Sequence, residues 1–302
     1  MLKKLLAMML VLGVVIVEVY AANSKVGTSG LAFLKIVPGS RPAALGGTYG
    51  AIGNDVNSLV LNPAGIAELK KKEVIATHIS WFQGINYEYI AIGIPVNFGV
   101  IGIGINSVSY GDMEKRTSAT DEPEGTFSAS DSAINLSYAK VLSESLCVGL
   151  NIKSINSKID DVSATPVTGI DLGVLYKVNA NLNLGLGLQN IGSGIKYIDD
   201  TSPLPTNIKL GLGYKIRDGL IIGLDVNKPN DNDSKVSIGG EYNIGLGQTI
   251  VLPVRLGYAT GIDAGGISAG IGFSYSNLGI DITFAPYGDL GNTLRAGIKF
   301  VF

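Results

Sequence analysis

From Glu73 to its end the chain alternates apolar and polar residues with a period of two. Leu182, Leu184, Leu186 and Leu188 alternate with Asn183, Gly185, Gly187 and Gln189. Ile208, Leu210, Leu212 and Tyr214 alternate with Lys209, Gly211, Gly213 and Lys215, and Ile271 and Phe273 with Gly270 and Gly272. Successive side chains of a pleated strand point to opposite faces, so this period predicts strands. Cut at turn residues, the pattern gives about fourteen strands of about eight to fourteen residues. In the last, 292–302, Leu294, Ala296, Ile298, Phe300 and Phe302 share one face, and Thr293, Arg295, Gly297 and Lys299 share the other. Such a strand suits a wall between lipid and a polar lumen, and a closed barrel leaves it no edge to aggregate. The expected fold is therefore all-β, a transmembrane antiparallel barrel.

Connections expected at 95–97, 143–145, 179–181, 217–219, 244–247 and 276–277 are tight turns. The intervening ones, at 81–84, 108–125, 158–166, 193–205, 228–234, 260–265 and 287–291, are mostly longer and polar. That alternation predicts short periplasmic turns, longer external loops and both termini on the periplasmic side, which requires an even strand number.

The start of the chain has a different character. Lys3 and Lys4 precede an apolar run that Glu18 ends, the pattern of a secretory signal peptide over 1–22 and too short for a membrane anchor. Residues 23–72 carry Gly39, Gly46, Gly47 and Gly50, which break any long element. Asn62-Pro63-Ala64-Gly65 reads as a helix start, with Asn62 capping, Pro63 in first position and a short helix following through 67–70. Too small to fold alone, this stretch is expected to sit as a hatch in the lumen of a 73–302 barrel, which is too wide for wall side chains to fill. The 41 glycines, roughly twice the usual 7%, fall largely on the inward face and leave it room.

The residues 33–36, Gly39-Ser40-Arg41-Pro42-Ala43-Ala44-Leu45-Gly46-Gly47, Asn54-Asp55-Val56 and Asn62-Pro63-Ala64-Gly65 resemble the N-terminal signature of PorV/PorQ-type proteins. These are relatives of the FadL-like long-chain fatty-acid transporter barrels. Leu45 stands where Met is usual, and Ile66 where Leu is usual. The resemblance implies that Arg41, Gly46, Gly47, Asp55, Asn62, Pro63, Ala64 and Gly65 form a hatch motif. It also implies a lateral opening at a kinked third strand, here 97–107 with Gly99, Gly102 and Gly104 able to bend. The ending in Phe300 and Phe302 resembles the signal by which outer-membrane barrels are recognised for assembly. The implied setting is the outer membrane of a diderm bacterium, with membrane lipid and the barrel assembly machinery as partners. Two functions follow: passive uptake of small hydrophobic molecules, or a component of a protein-secretion system that binds secreted proteins, for which the 108–125 loop is the one substantial candidate.

Composition narrows the rest. Mean hydropathy is +0.33 with 16% charged residues, and no apolar run reaches the length of a membrane helix. A net charge of -2 argues against nucleic-acid partners, and the single Cys147 cannot form an internal disulfide. Gly266-Ile267-Ser268-Ala269-Gly270 has the spacing of a hydrolase elbow but lies in an alternating strand with no helix after it, so no enzyme is expected. His78 falls on a wall strand and reads as structural. No Cys/His cluster suggests a metal or cofactor, and the acidic loops Asp160-Asp161, Asp199-Asp200 and Asp231-Asn232-Asp233 read as solvated or weakly calcium-binding. The inward face carries Lys153, Asp171, Lys209, Asp225, Glu241, Arg255, Asp281, Arg295 and Lys299, able to pair with Arg41 and Asp55.

Overall fold

The computed structural model describes residues 25–261 and 266–302, and the expected signal peptide, 1–22, lies outside them. Fourteen wall strands pair antiparallel, each with the next. They are β1 Glu73–Ser80, β2 Asn86–Val96, β3 Gly99–Lys115, β4 Gly125–Ser143, β5 Leu146–Ile159, β6 Val167–Lys177 and β7 Leu182–Gly192. The second half is β8 Asn207–Arg217, β9 Leu220–Pro229, β10 Lys235–Leu246, β11 Ile250–Ala259, β12 Ile267–Tyr275, β13 Leu278–Pro286 and β14 Asn292–Val301. Pairing of β14 with β1, from Glu73↔Val301 to Ser80↔Leu294, closes the ring, so no strand is left as an edge.

The period-two pattern sets which face is outside. Leu256, Ile271, Leu294 and Phe300 point outward and are exposed, whereas Thr293 and Arg295 between them are buried. Tyr138, Tyr176, Tyr214, Tyr242, Tyr275 and Phe300, all exposed, lie near the short-turn ends of their strands and form an aromatic band. Rings with an apolar body and a polar tip are at home at a membrane surface.

The core is inside the ring. The chain between Leu31 and Leu69 runs through the lumen, with Phe33, Leu45, Tyr49, Val56, Leu59 and Ile66 almost fully buried. It forms only short elements, the helices Ser40–Ala44 and Ser58–Leu61 and the 3-10 turns Ala32–Lys35 and Pro63–Glu68. The helix expected at 67–70 is thus a 3-10 turn that starts earlier, because Pro63 opens it and Leu69 is already extended.

Three expectations need correction. The 108–125 segment is not a loop: β3 runs to Lys115 and β4 starts at Gly125, making strands of 17 and 19 residues that project as a hairpin. Beyond Val108 most of its residues are polar on both faces, with only Tyr110, Met113 and Phe127 as large apolar or aromatic ones before Ile134, so alternation does not reveal it. At Gly102 and Gly104 the ladder has no break that would open the wall. Pairing of β3 is continuous from Val96↔Gly99 to Asn86↔Ser109 on one side and from Val100↔Ala139 to Ser109↔Ser130 on the other. The register shifts further out, between Ser109 and Asp112, where Gly111 takes a φ of 71° that suits glycine. Finally, although the wall begins and ends at the short-turn side, the described N-terminal stretch starts at the other end. There the Gly30 N–H donates to the Pro203 carbonyl at 3.0 Å, and Ser29 to Asn230.

Candidate functional site

The lumen segment crosses the barrel because wall glycines let backbone approach backbone. A Cβ on Gly149 would sit 2.3 Å from the Pro63 carbonyl carbon, and one on Gly173 would sit 2.1 Å from Asn62 Oδ1. Against this paired Gly149 and Gly173, Asn62, Pro63, Ala64 and Gly65 make a tight buried turn. Asn62 Oδ1 accepts from the Ala64 N–H at 3.3 Å, while its Nδ2 donates to the Gly50 carbonyl at 2.6 Å and the Val174 carbonyl at 3.2 Å. One side chain therefore caps the turn, joins it to the preceding crossing and ties both to the wall. Gly46 and Gly47, with φ of 66° and 79°, reverse the chain beside β11, and the Gly46 N–H donates to Ser268 Oγ at 3.1 Å.

On the short-turn side Arg41 is a hub. Its Nε and Nη2 donate to the two Glu241 oxygens at 2.8 and 2.9 Å, and its Nη1 to Asp55 and Asn54 at 2.8 Å and to the Tyr49 hydroxyl at 3.0 Å. Glu241 also accepts from Arg255 at 2.5 Å, and Arg255 donates to Asp281 at 2.6 Å. Of the two expected hatch charges, only Arg41 reaches a wall carboxylate; Asp55 pairs with Arg41 itself. Burial pushes the Asp55 carboxyl up, but Arg41, Lys299 and the hydrogen bonds from Arg41 and Tyr49 outweigh it and hold Asp55 below the usual carboxylate range. Paired and hydrogen-bonded, these charges are tolerable in a buried lumen.

A second anchor was not legible as such. Asp225 Oδ2 accepts from the N–H groups of Tyr49 and Gly50, both at 2.8 Å, and faces Lys209 at 3.6 Å. In sequence Asp225 is one more inward carboxylate, and nothing marks the backbone it will hold. Asp171 behaves likewise: it pairs with Lys153 at 2.9 Å and accepts at 2.7 Å from Asn190, whose N–H a bulge has freed from the ladder.

On the long-loop side of this crossing lies a chamber of about 370 Å³. Leu34, Ile36, Val37, Val60 and Leu61 give it apolar walls from the lumen segment, and Asn106, Asn135, Asn207 and Asn227 give it amides from the barrel. Trp81, Phe82 and Tyr287 cluster at its rim with ring centroids 5.1 to 5.9 Å apart.

The other sequence candidates do not assemble into chemistry. Ser268 donates to the Ala44 carbonyl at 3.2 Å, a packing role, while His78 is half-exposed on the outer wall beside Glu88 Oε1 at 2.6 Å. Gly102 and Gly104 face Leu59, and Gly99 begins β3. Phe300 and Phe302 stack at 5.5 Å, and Phe302 exchanges backbone hydrogen bonds with Lys72. Among the described residues no group of three His, Cys, Asp or Glu side chains could hold a metal ion. Asp160 instead pairs with Lys115 at 2.5 Å and Asp231 with Lys35.

A family model for the type IX secretion system protein PorV matches residues 19–228, more than half of the chain. The chain belongs to the PorV family. The matched stretch contains Arg41 through Gly65, the first eight strands and all but the last residue of β9, whereas Glu241, Arg255 and Arg295 lie beyond it. No curated protein matches the chain in sequence. Among solved structures, the Pseudomonas putida toluene transporter TodX is similar with a TM-score of 0.60 at 13% identity, covering 86% of this chain and 95% of its own. The Ralstonia pickettii toluene transporter TbuX gives 0.59 at 14%, covering 87% and 97%, and a Pseudomonas aeruginosa FadL homologue 0.51 at 12%, covering 88% and 98%. At such identities the shared property is the fold, a FadL-like fourteen-stranded barrel in a PorV-family sequence.

Proposed function

We propose that this chain is an outer-membrane barrel of a diderm bacterium through which small, largely apolar molecules pass without an energy source. Residues 23–72 act as its plug. The observation that carries the reading is the chamber: it lies on the long-loop side, has apolar walls supplied by the plug, and is not lined by Arg41 or its partners. A filled barrel with a chamber on its outer side suits a ligand that waits there until the plug shifts. The ladder is intact at Gly102 and Gly104, so the exit step falls to movement of the plug rather than to a gap already present in the wall. Phe300 and Phe302 are the proposed signal to the assembly machinery.

Cells lacking the chain should take up labelled toluene more slowly than cells carrying it, with uptake unaffected by a protonophore. Equal rates with and without the chain would remove this reading. A second reading, a secretion component that holds exported proteins at the surface, is favoured by the family match and by the β3–β4 hairpin that projects beyond the other strands. Shortening its tip, 116–124, separates the two. Uptake should survive on the first reading, whereas surface display of secreted proteins should fail on the second.

A further inference from the structure

One buried cation of the chamber has no counter-charge. Arg295, on β14, is 3% exposed and lines the cavity, with its guanidinium carbon 5.5 Å from the Trp81 ring centroid. Its Nε has no hydrogen-bond partner, and the hydroxyls of Tyr287 and Tyr87 lie near the guanidinium. Among the described residues no carboxylate lies within ion-pair distance of it. Three lysines of the same chamber contrast with it: Lys153 meets Asp171 at 2.9 Å, Lys209 meets Asp225 at 3.6 Å, and Lys35 is paired with Asp231. A charge removed from water is disfavoured unless it is paired. Here the missing partner faces open cavity, so it can be supplied from solution.

The surroundings define that partner. One unpaired positive charge calls for a monoanion, and the planar guanidinium fork matches a carboxylate. Trp81 and Tyr287, with ring centroids 5.1 Å apart, offer a flat apolar surface beside the charge. We propose that the chamber binds small aromatic carboxylates, the carboxylate on Arg295 and the ring against Trp81 and Tyr287. This deepens the chamber's role in the uptake reading but requires only that the chamber bind, not that the barrel conduct.

Trp81 is the sole tryptophan of the chain, so its fluorescence reports the site directly. The purified full chain in detergent micelles is titrated with benzoate and with its neutral isostere benzamide. Benzoate should change the Trp81 signal saturably and bind at least about tenfold more tightly than benzamide, as loss of a charge-assisted contact implies. R295Q should lose that preference, and R295K should keep part of it. Equal affinity for benzoate and benzamide in the wild type would overturn the proposal, as would benzoate binding unchanged in R295Q. If R295Q does not fold, the wild-type comparison decides alone. Toluene uptake that fails while benzoate binds would remove the uptake reading and leave this site standing; uptake that persists while benzoate does not bind would overturn the site alone.

Discussion

Arg41 meets two carboxylates, a phenol and an amide with a single guanidinium, and Lys could not reproduce that fork. Arg41→Ala leaves Glu241 and Asp55 buried without it, a loss on the order of 3–5 kcal/mol. The variant should lose its compact, heat-resistant electrophoretic form at a lower temperature than wild type, with Arg41→Lys in between; an unchanged transition would show that the hub does not hold the plug. The same hub sets a pH dependence. Because the native pKa of Asp55 is depressed, its contribution is complete above its unfolded value of about 4 and is lost as pH falls through the native value. Thermal stability should therefore decline on acidification below about pH 4, and Asp55→Asn should flatten part of that decline. A decline of the same steepness in Asp55→Asn would place the responsible group elsewhere.

At the level of elements, what could be read from sequence was what a period of two displays. The strand Leu182–Gly192 is legible because four leucines alternate with Asn, Gly and Gln up to Gln189, although the bulge at Asn190 is not. The extended β3–β4 hairpin was not, since strand continues there after the lipid-facing pattern has stopped. The course of residues 23–72 was legible only at Asn62 and Pro63, where a cap and a proline act locally. The anchors at Glu241 and Asp225 join residues about two hundred positions apart, which no local pattern records. Two substitutions test the faces. Ile271→Arg puts a charge on the lipid side and should cost about 2–4 kcal/mol near the midplane, whereas Gly187→Ser, whose added Cβ has no neighbour closer than 3.6 Å, should assemble normally. Equal yields of folded barrel would contradict the register. Gly173→Ala puts a methyl where Asn62 Oδ1 stands, so it should unseat the turn at Asn62 while the barrel still forms, seen as new proteolysis within 58–69 in a barrel that still migrates as folded. A plug as protected as in wild type would show that this close approach is dispensable.

The whole molecule is a wall held by its own ladder and a lumen segment held by a few charged anchors, with a chamber of about 370 Å³ on the long-loop side and only a small pocket beside Arg41 among the described residues. That asymmetry is the claim on which both uptake and ligand binding depend. It is tested by placing single cysteines in the chamber and in the crossing in a Cys147→Ser background: Asn227→Cys in the chamber wall, and Ala64→Cys in the buried turn. Intact cells are treated with a membrane-impermeant maleimide. The account predicts labelling at Asn227→Cys and protection at Ala64→Cys until the protein is unfolded. Free labelling of Ala64→Cys from outside, or protection of both, would contradict it.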